Sequence, residues 1–84
     1  MSKVAISVKI VPKNPDVDFK KMENKIKEKF ETKDAREEPI GFGLKSLRIL
    51  ILKDSEDGGT DDIENYISDL DGVRSVEIES VNKL

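Results

Sequence analysis

The chain has no cysteine and no histidine. The first absence excludes a disulfide framework and a thiol nucleophile, the second an imidazole base, and the two together a zinc site of the usual ligand types. Carboxylates, lysines and hydroxyls are the side-chain chemistry that remains. Long apolar runs are also missing: in "MSKVAISVKIVPKN" Lys3 and Lys9 bracket a segment too short for a signal peptide or a membrane span, so a cytoplasmic protein without membrane contact is expected. Nor is there an excess of positive charge. With 15 basic against 18 acidic residues and a formal net charge of -3, nothing draws the chain to nucleic acid over long range. Aromatics are scarce, three phenylalanines and one tyrosine, so the place of each one asks for a reason.

What is present fits one small domain, residues 1–84, near the lower limit for a core without staples. "KVAISVKIV" alternates, with Val4, Ile6, Val8 and Ile10 on one face, and reads as a strand. "PKNPD" stops it, and Asp16 or Asp18 can cap the helix that follows, whose stripe is Phe19, Met22, Ile26 and Phe30. "ETKDAREEP" is charged and reads as an edge strand over 33–38, closed by Pro39. In "LKSLRILILK", Leu47, Ile49 and Ile51 face one side and Leu50 and Leu52 the other, as in a central strand. Asp57 to Gly59 then form a turn, Thr60 caps a second helix with stripe Ile63, Ile67 and Leu70, and Gly72 ends it. "VRSVEIESV" is a last strand and "NKL" a short tail. The order β-α-β-β-α-β predicts an α+β, ferredoxin-like fold: a four-stranded antiparallel sheet with both helices on one face and the first and third strands central.

Several motifs carry less than they suggest. "EDGGT" has glycines but lacks the lysine and hydroxyl of a nucleotide-binding loop, and "DSEDGGTDD" lacks the alternating ligand spacing of a calcium loop. Neither a metal site nor a cofactor is expected. The pairs Glu37 with Glu38 and Asp61 with Asp62 lie in polar runs that would not separate their pKa values, which argues against an enzyme. Arg36, Arg48 and Arg74 are too scattered for an anion-cradling active site. An RNA reader of this fold stacks bases on central-strand aromatics, whereas the outward positions here are Ala5, Ser7, Lys9, Arg48, Leu50 and Leu52. Leu50 and Leu52 suit contact with a partner or another copy, or cover by a loop.

Phe42 stands between Gly41 and Gly43 in what reads as the hairpin turn. Physics alone leaves two readings open: a projecting anchor for a partner's pocket, or a ring folded back over the end of the core. Lys83, next to the last residue, is ordinarily a solvated lysine, although a long ammonium at a strand end can reach a phosphate or a metal site on another protein.

The stretch "EEPIGFGLKSLRILILKDSEDGGTDDIENYISDLDGVRSVEIESVNKL" closely resembles the catalytic domain of the translation elongation factor 1 beta family, and at this length its archaeal form. The resemblance spans essentially the whole chain and is most specific in "PIGFGLKSL" and "VRSVEIESVNKL". It implies a ferredoxin-like guanine-nucleotide exchange factor for the elongation factor 1 alpha GTPase. It further implies that Phe42, with Ile40, Gly41 and Gly43 around it, enters a hydrophobic pocket of that partner. Lys83 then reaches the partner's magnesium and phosphate region and helps eject the metal. Leu50 and Leu52 are expected on a further contact surface, the protein is expected to be a monomer, and the hairpin and Lys83 are expected at opposite ends of the sheet, about 20 Å apart. The segment before Pro39 is more charged than the family's edge strand.

Overall fold

The computed structural model describes residues 3–54 and 59–83. The elements are β1 (Lys3–Pro12), α1 (Phe19–Lys29), β2 (Glu31–Gly41), β3 (Leu44–Asp54), α2 (Asp61–Ser68) and β4 (Val73–Lys83). The strands pair antiparallel in the order β2-β3-β1-β4, the ferredoxin-like α+β arrangement with the two most apolar strands in the centre. Alternation puts Ile6, Val8 and Ile10 of β1 beside Leu47, Ile49 and Ile51 of β3 on one face. Met22 and Ile26 of α1 and Ile63 and Ile67 of α2 pack on it, closing a core from which water is excluded. Leu50 and Leu52 point the other way, are half-buried, and lie opposite Ser7 and Ala5.

The ends of elements differ from the sequence-based expectation. Asp18, not Asp16, caps α1: its carboxylate accepts the Lys21 amide at 3.1 Å, while the Asp16 amide donates to Asn14 in the turn before. Phe30 lies just past the helix and stacks edge-on against Tyr66, with ring centroids 5.7 Å apart. The edge strand runs to 11 residues and takes in Pro39, because an outer strand can spare the N–H that proline lacks and a bulge follows at Ile40. Low apolar content did not shorten it, since the long β3 offers backbone partners along its whole length. Thr60 makes no side-chain cap bond, its hydroxyl meeting Glu64 instead at 3.0 Å.

The second helix ends at Ser68, so Leu70 and Gly72 belong to the turn that leads into β4. Gly72 has φ +87, and a Cβ there would sit 2.9 Å from a Val17 methyl, so both backbone and space call for glycine. Asn82 and Lys83 are not a tail: they pair with Ala5 and Val4 and complete β4. Of the turn expected from Asp57 to Gly59, residues 57 and 58 lie outside the described residues.

Candidate functional site

The hairpin between β2 and β3 closes through Phe42 and Gly43, with Gly41 paired to Leu44. Two central residues with positive φ are what a two-residue type I′ hairpin requires, because that turn matches the twist of its strands. Here φ is 54 for Phe42 and 73 for Gly43, and Gly41 before them has 97. Nothing lies within 4 Å of a Cβ built on Gly41 or Gly43, so these glycines serve the backbone and not the packing. An asparagine or glycine at 42 would take this conformation cheaply, whereas a large side chain in the left-handed region costs on the order of 1 kcal/mol.

That strained residue is fully exposed, at 102% relative area, with Ile40 beside it at 38%. Of the two readings open in the sequence, the ring folded back over the core is therefore excluded. Leaving a phenylalanine in water forgoes about 2 to 3 kcal/mol of burial. Both local terms thus oppose Phe42 where it stands, and neither is offset inside the chain.

Lys83 occupies the other end. It pairs with Val4 on β1, which pairs in turn with Lys53 on β3, so Lys53, Val4 and Lys83 form one row across the sheet. The ammonium of Lys83 is exposed and makes no ion pair with any described residue. β3 from Leu44 to Lys53 covers about 30 Å, which sets the spacing between hairpin turn and Lys83 row. The expected placement at opposite ends holds, and the expected 20 Å is too short because the strands run to 11 residues. The long axis of the molecule is 42 Å.

Two arrangements escaped the sequence reading. On the face without helices, Arg48 reaches Glu38 of β2 at 2.8 Å with one guanidinium nitrogen and Glu79 of β4 at 2.8 and 3.0 Å with two others, bracketing the sheet across its strands. Glu79 can do this because β4 bulges there, between the pairs Ser7 with Ser80 and Val8 with Ile78. At the Lys83 end, Lys53 is drawn under α2. Its side chain is 8% exposed, and its ammonium donates to both carboxylate oxygens of Asp62 at 2.8 Å and to the Gly59 carbonyl at 3.1 Å. The hydrogen bond from Lys53 holds the Asp62 carboxyl below its ordinary pKa, against the opposing effect of burial. The signal for this pair was in the alternation itself, which puts position 53 on the core face after Leu47, Ile49 and Ile51.

A cleft of about 550 Å³ lies between the start of α1 and the turn before β4, lined by Val17, Met22 and Leu70 among charged neighbours. None of the predicted site residues lines it: Ile40, Gly41, Phe42 and Gly43 form one projecting tip, Lys83 lies at the far end, and Leu50 and Leu52 lie on the helix-free face between, Leu52 at the rim of a second cleft with Lys53 and Asp62. Among the described residues no three acidic side chains are placed to hold a metal ion, and no helix is long and apolar enough to cross a membrane. A projecting tip at one end and an exposed lysine at the other suit contact with another macromolecule.

Compared with protein families, residues 5–84 match the EF-1 guanine nucleotide exchange domain. The chain belongs to that family. Among its relatives, it is 39% identical to elongation factor 1-beta of Methanocorpusculum labreanum, the alignment covering 100% of this chain and 99% of the relative. It is 36% identical to elongation factor 1-beta of Aeropyrum pernix with the same coverage, and 38% identical to that of Methanosphaerula palustris over 93% of each chain. The match to the exchange domain, residues 5–84, takes in both the hairpin and Lys83.

Proposed function

We propose that this protein promotes release of GDP from the elongation factor 1 alpha GTPase during translation elongation, with Phe42 as the anchor and Lys83 as the group that disturbs the partner's magnesium and phosphate site. The observation that carries the reading is Phe42 itself, fully exposed and in a left-handed conformation at the hairpin tip. A residue that the free protein holds at a cost in both backbone and solvation is accounted for when a partner's pocket supplies the missing burial. Membership of the exchange-domain family supports the same assignment.

A GTPase holds its nucleotide chiefly through phosphate contacts to loop amides, a lysine and magnesium. An exchange factor accelerates release only by binding the nucleotide-free or metal-free state more tightly than the loaded one. Lys83 supplies competing positive charge where the metal would sit, while Phe42 and Ile40 contribute binding energy that keeps the GTPase distorted. Weakening the hold on nucleotide by about 4 kcal/mol speeds release roughly a thousandfold. Since about 30 Å separates hairpin from Lys83 row, the partner is touched at two places, with Leu50 and Leu52 as a further contact on the face between them.

The protein acts in the cytoplasm on another protein's nucleotide site, without a cofactor, a reaction of its own or a nucleic-acid contact. It acts as a monomer, a reading supported by the bulges in both edge strands, which discourage pairing between copies. The test is release of a fluorescent GDP from elongation factor 1 alpha of the same organism, with this protein and with Lys83→Ala. Strong acceleration that is largely lost in the variant is the expected result. No acceleration by the natural sequence would sink the assignment, and equal acceleration by both proteins would sink the role of Lys83.

A further inference from the structure

We propose that the Lys53–Asp62 ion pair is a positioning device for the exchange end of the sheet, fixing the strand end that carries Lys83. The inference rests on the reading of Lys83 given above and adds residues to it.

Position 53 faces the core, where the three preceding positions of that face are Leu47, Ile49 and Ile51. A lysine there must be desolvated, and an apolar side chain of similar length would fill the place at least as stably. The pair is therefore better explained by where it holds its neighbours than by the stability it adds. Its geometry is complete: the three acceptors, two from Asp62 and one from Gly59, match the three protons of an ammonium. Gly59 and Asp62 flank Thr60, the residue before α2, and Thr60 gives that helix no side-chain cap. The start of α2 is thus located by a lysine from the sheet in place of a local cap.

Two routes lead from this anchor to Lys83. One is the row Lys53, Val4 and Lys83, in which neighbouring strands lie about 4.8 Å apart. The other is α2 itself, which the anchor holds at its first turn and which packs against β4. Lys53 acts through Lys83 and does not itself touch the partner. Releasing the anchor frees the first turn of α2 and loosens the last pairs of β4, so that the Lys83 ammonium samples more positions while the hairpin, about 30 Å away, is left as it was.

The test uses Lys53→Met, which keeps the apolar stem and leaves a largely exposed Asp62, together with Asp62→Asn. Hydrogen exchange of the Val81, Asn82 and Lys83 amides is measured in the full chain, and GDP release is measured as a function of factor concentration. Lys53→Met is expected to keep a cooperative unfolding transition, to speed amide exchange at 81–83 but not at Arg36 or Leu47, and to lower the saturating release rate about tenfold with the half-saturating concentration held. In a Lys83→Ala background the same change should add less than about a twofold loss, because it acts through that residue.

Unchanged amide exchange at 81–83, or an equal loss of rate in both backgrounds, overturns the proposal and leaves the reading of Lys83 intact. If Lys83→Ala alone leaves GDP release unaltered, the reading fails and the positioning role falls with it. Should Lys53→Met fail to fold, Asp62→Asn carries the same three measurements with the same criteria.

Discussion

The two ends of the sheet are held by opposite means. At the hairpin end nothing inside the chain secures Phe42: its φ of 54 is imposed by a turn that would accept smaller residues more cheaply, and its ring has no neighbour to pack on. At the Lys83 end the surroundings are tied down by ion pairs, Lys53 with Asp62 and Lys3 with Glu31, each at 2.8 Å. One end presents exposed apolar area, and the other presents an exposed charge next to an anchored pair. Under the proposed function, affinity and chemistry would be separated along the length of β1 and β3, the partner gripped at one end and its nucleotide site disturbed at the other.

The largest effects should come from the unsecured end. Phe42→Ala removes about 2 to 3 kcal/mol of burial on binding, so the concentration of factor needed for half-maximal GDP release should rise by roughly 30- to 160-fold with the saturating rate little changed. Phe42→Asn sharpens the contrast, because asparagine takes the left-handed region readily. It should weaken partner binding as much as alanine does yet raise the melting temperature, by an amount equivalent to about 0.5 to 1 kcal/mol. A melting temperature that fell in Phe42→Asn would mean that the ring packs on its own chain and that the two ends are less different than they look.

Next in size is the reverse experiment. Lys83→Ala should lower the saturating release rate by about tenfold or more and leave half-saturation nearly unmoved, since a group that acts on the metal site matters after docking. Titration of both variants against elongation factor 1 alpha separates the two roles. A shift of half-saturation in Lys83→Ala as large as that in Phe42→Ala would break the division between grip and chemistry.

Much of this was legible in the sequence because it rests on period and order. Alternation in "KVAISVKIV" and "LRILILK" places the two central strands, and the charged second strand falls on an edge as its composition suggests. Phe42 stands out in the sequence through the glycines on either side of it, whereas Lys83 is singled out only by the family resemblance. What the sequence could not give is register. Pairing of Asn82 and Lys83 with β1 depends on the bulge at Glu79, and the reach of Arg48 to Glu79 depends on the same shift. Both are set by how long strands twist past one another, and local propensity carries little of that. The left-handed backbone of Phe42 was hidden for a related reason: flanking glycines mark a turn, but which residues lie at its centre is decided by which pairs close it.

The smallest expected effect is acid sensitivity confined to one end. The Asp62 carboxyl is held below its ordinary pKa by the hydrogen bond from Lys53, and the Glu31 carboxyl by the hydrogen bond from Lys3. A carboxyl whose folded pKa is depressed contributes stability that is present above its unfolded pKa and lost as pH falls through the folded value. Both contributions therefore fade as pH drops through about 4 and below, and with the Asp62 side chain 56% exposed its share is under about 1 kcal/mol. Overall melting should move little in that window, while amide exchange at Ile63 and at Val81 to Lys83 should quicken at a higher pH than exchange at Ala35 or Leu47. In Asp62→Asn the carboxyl that titrates is gone, so the faster exchange should already be present at neutral pH and should change less on acidification. Simultaneous loosening of both ends in the natural protein would show that the anchoring is shared along the sheet, and the contrast between a bare end and a tied one would then lie in exposure alone.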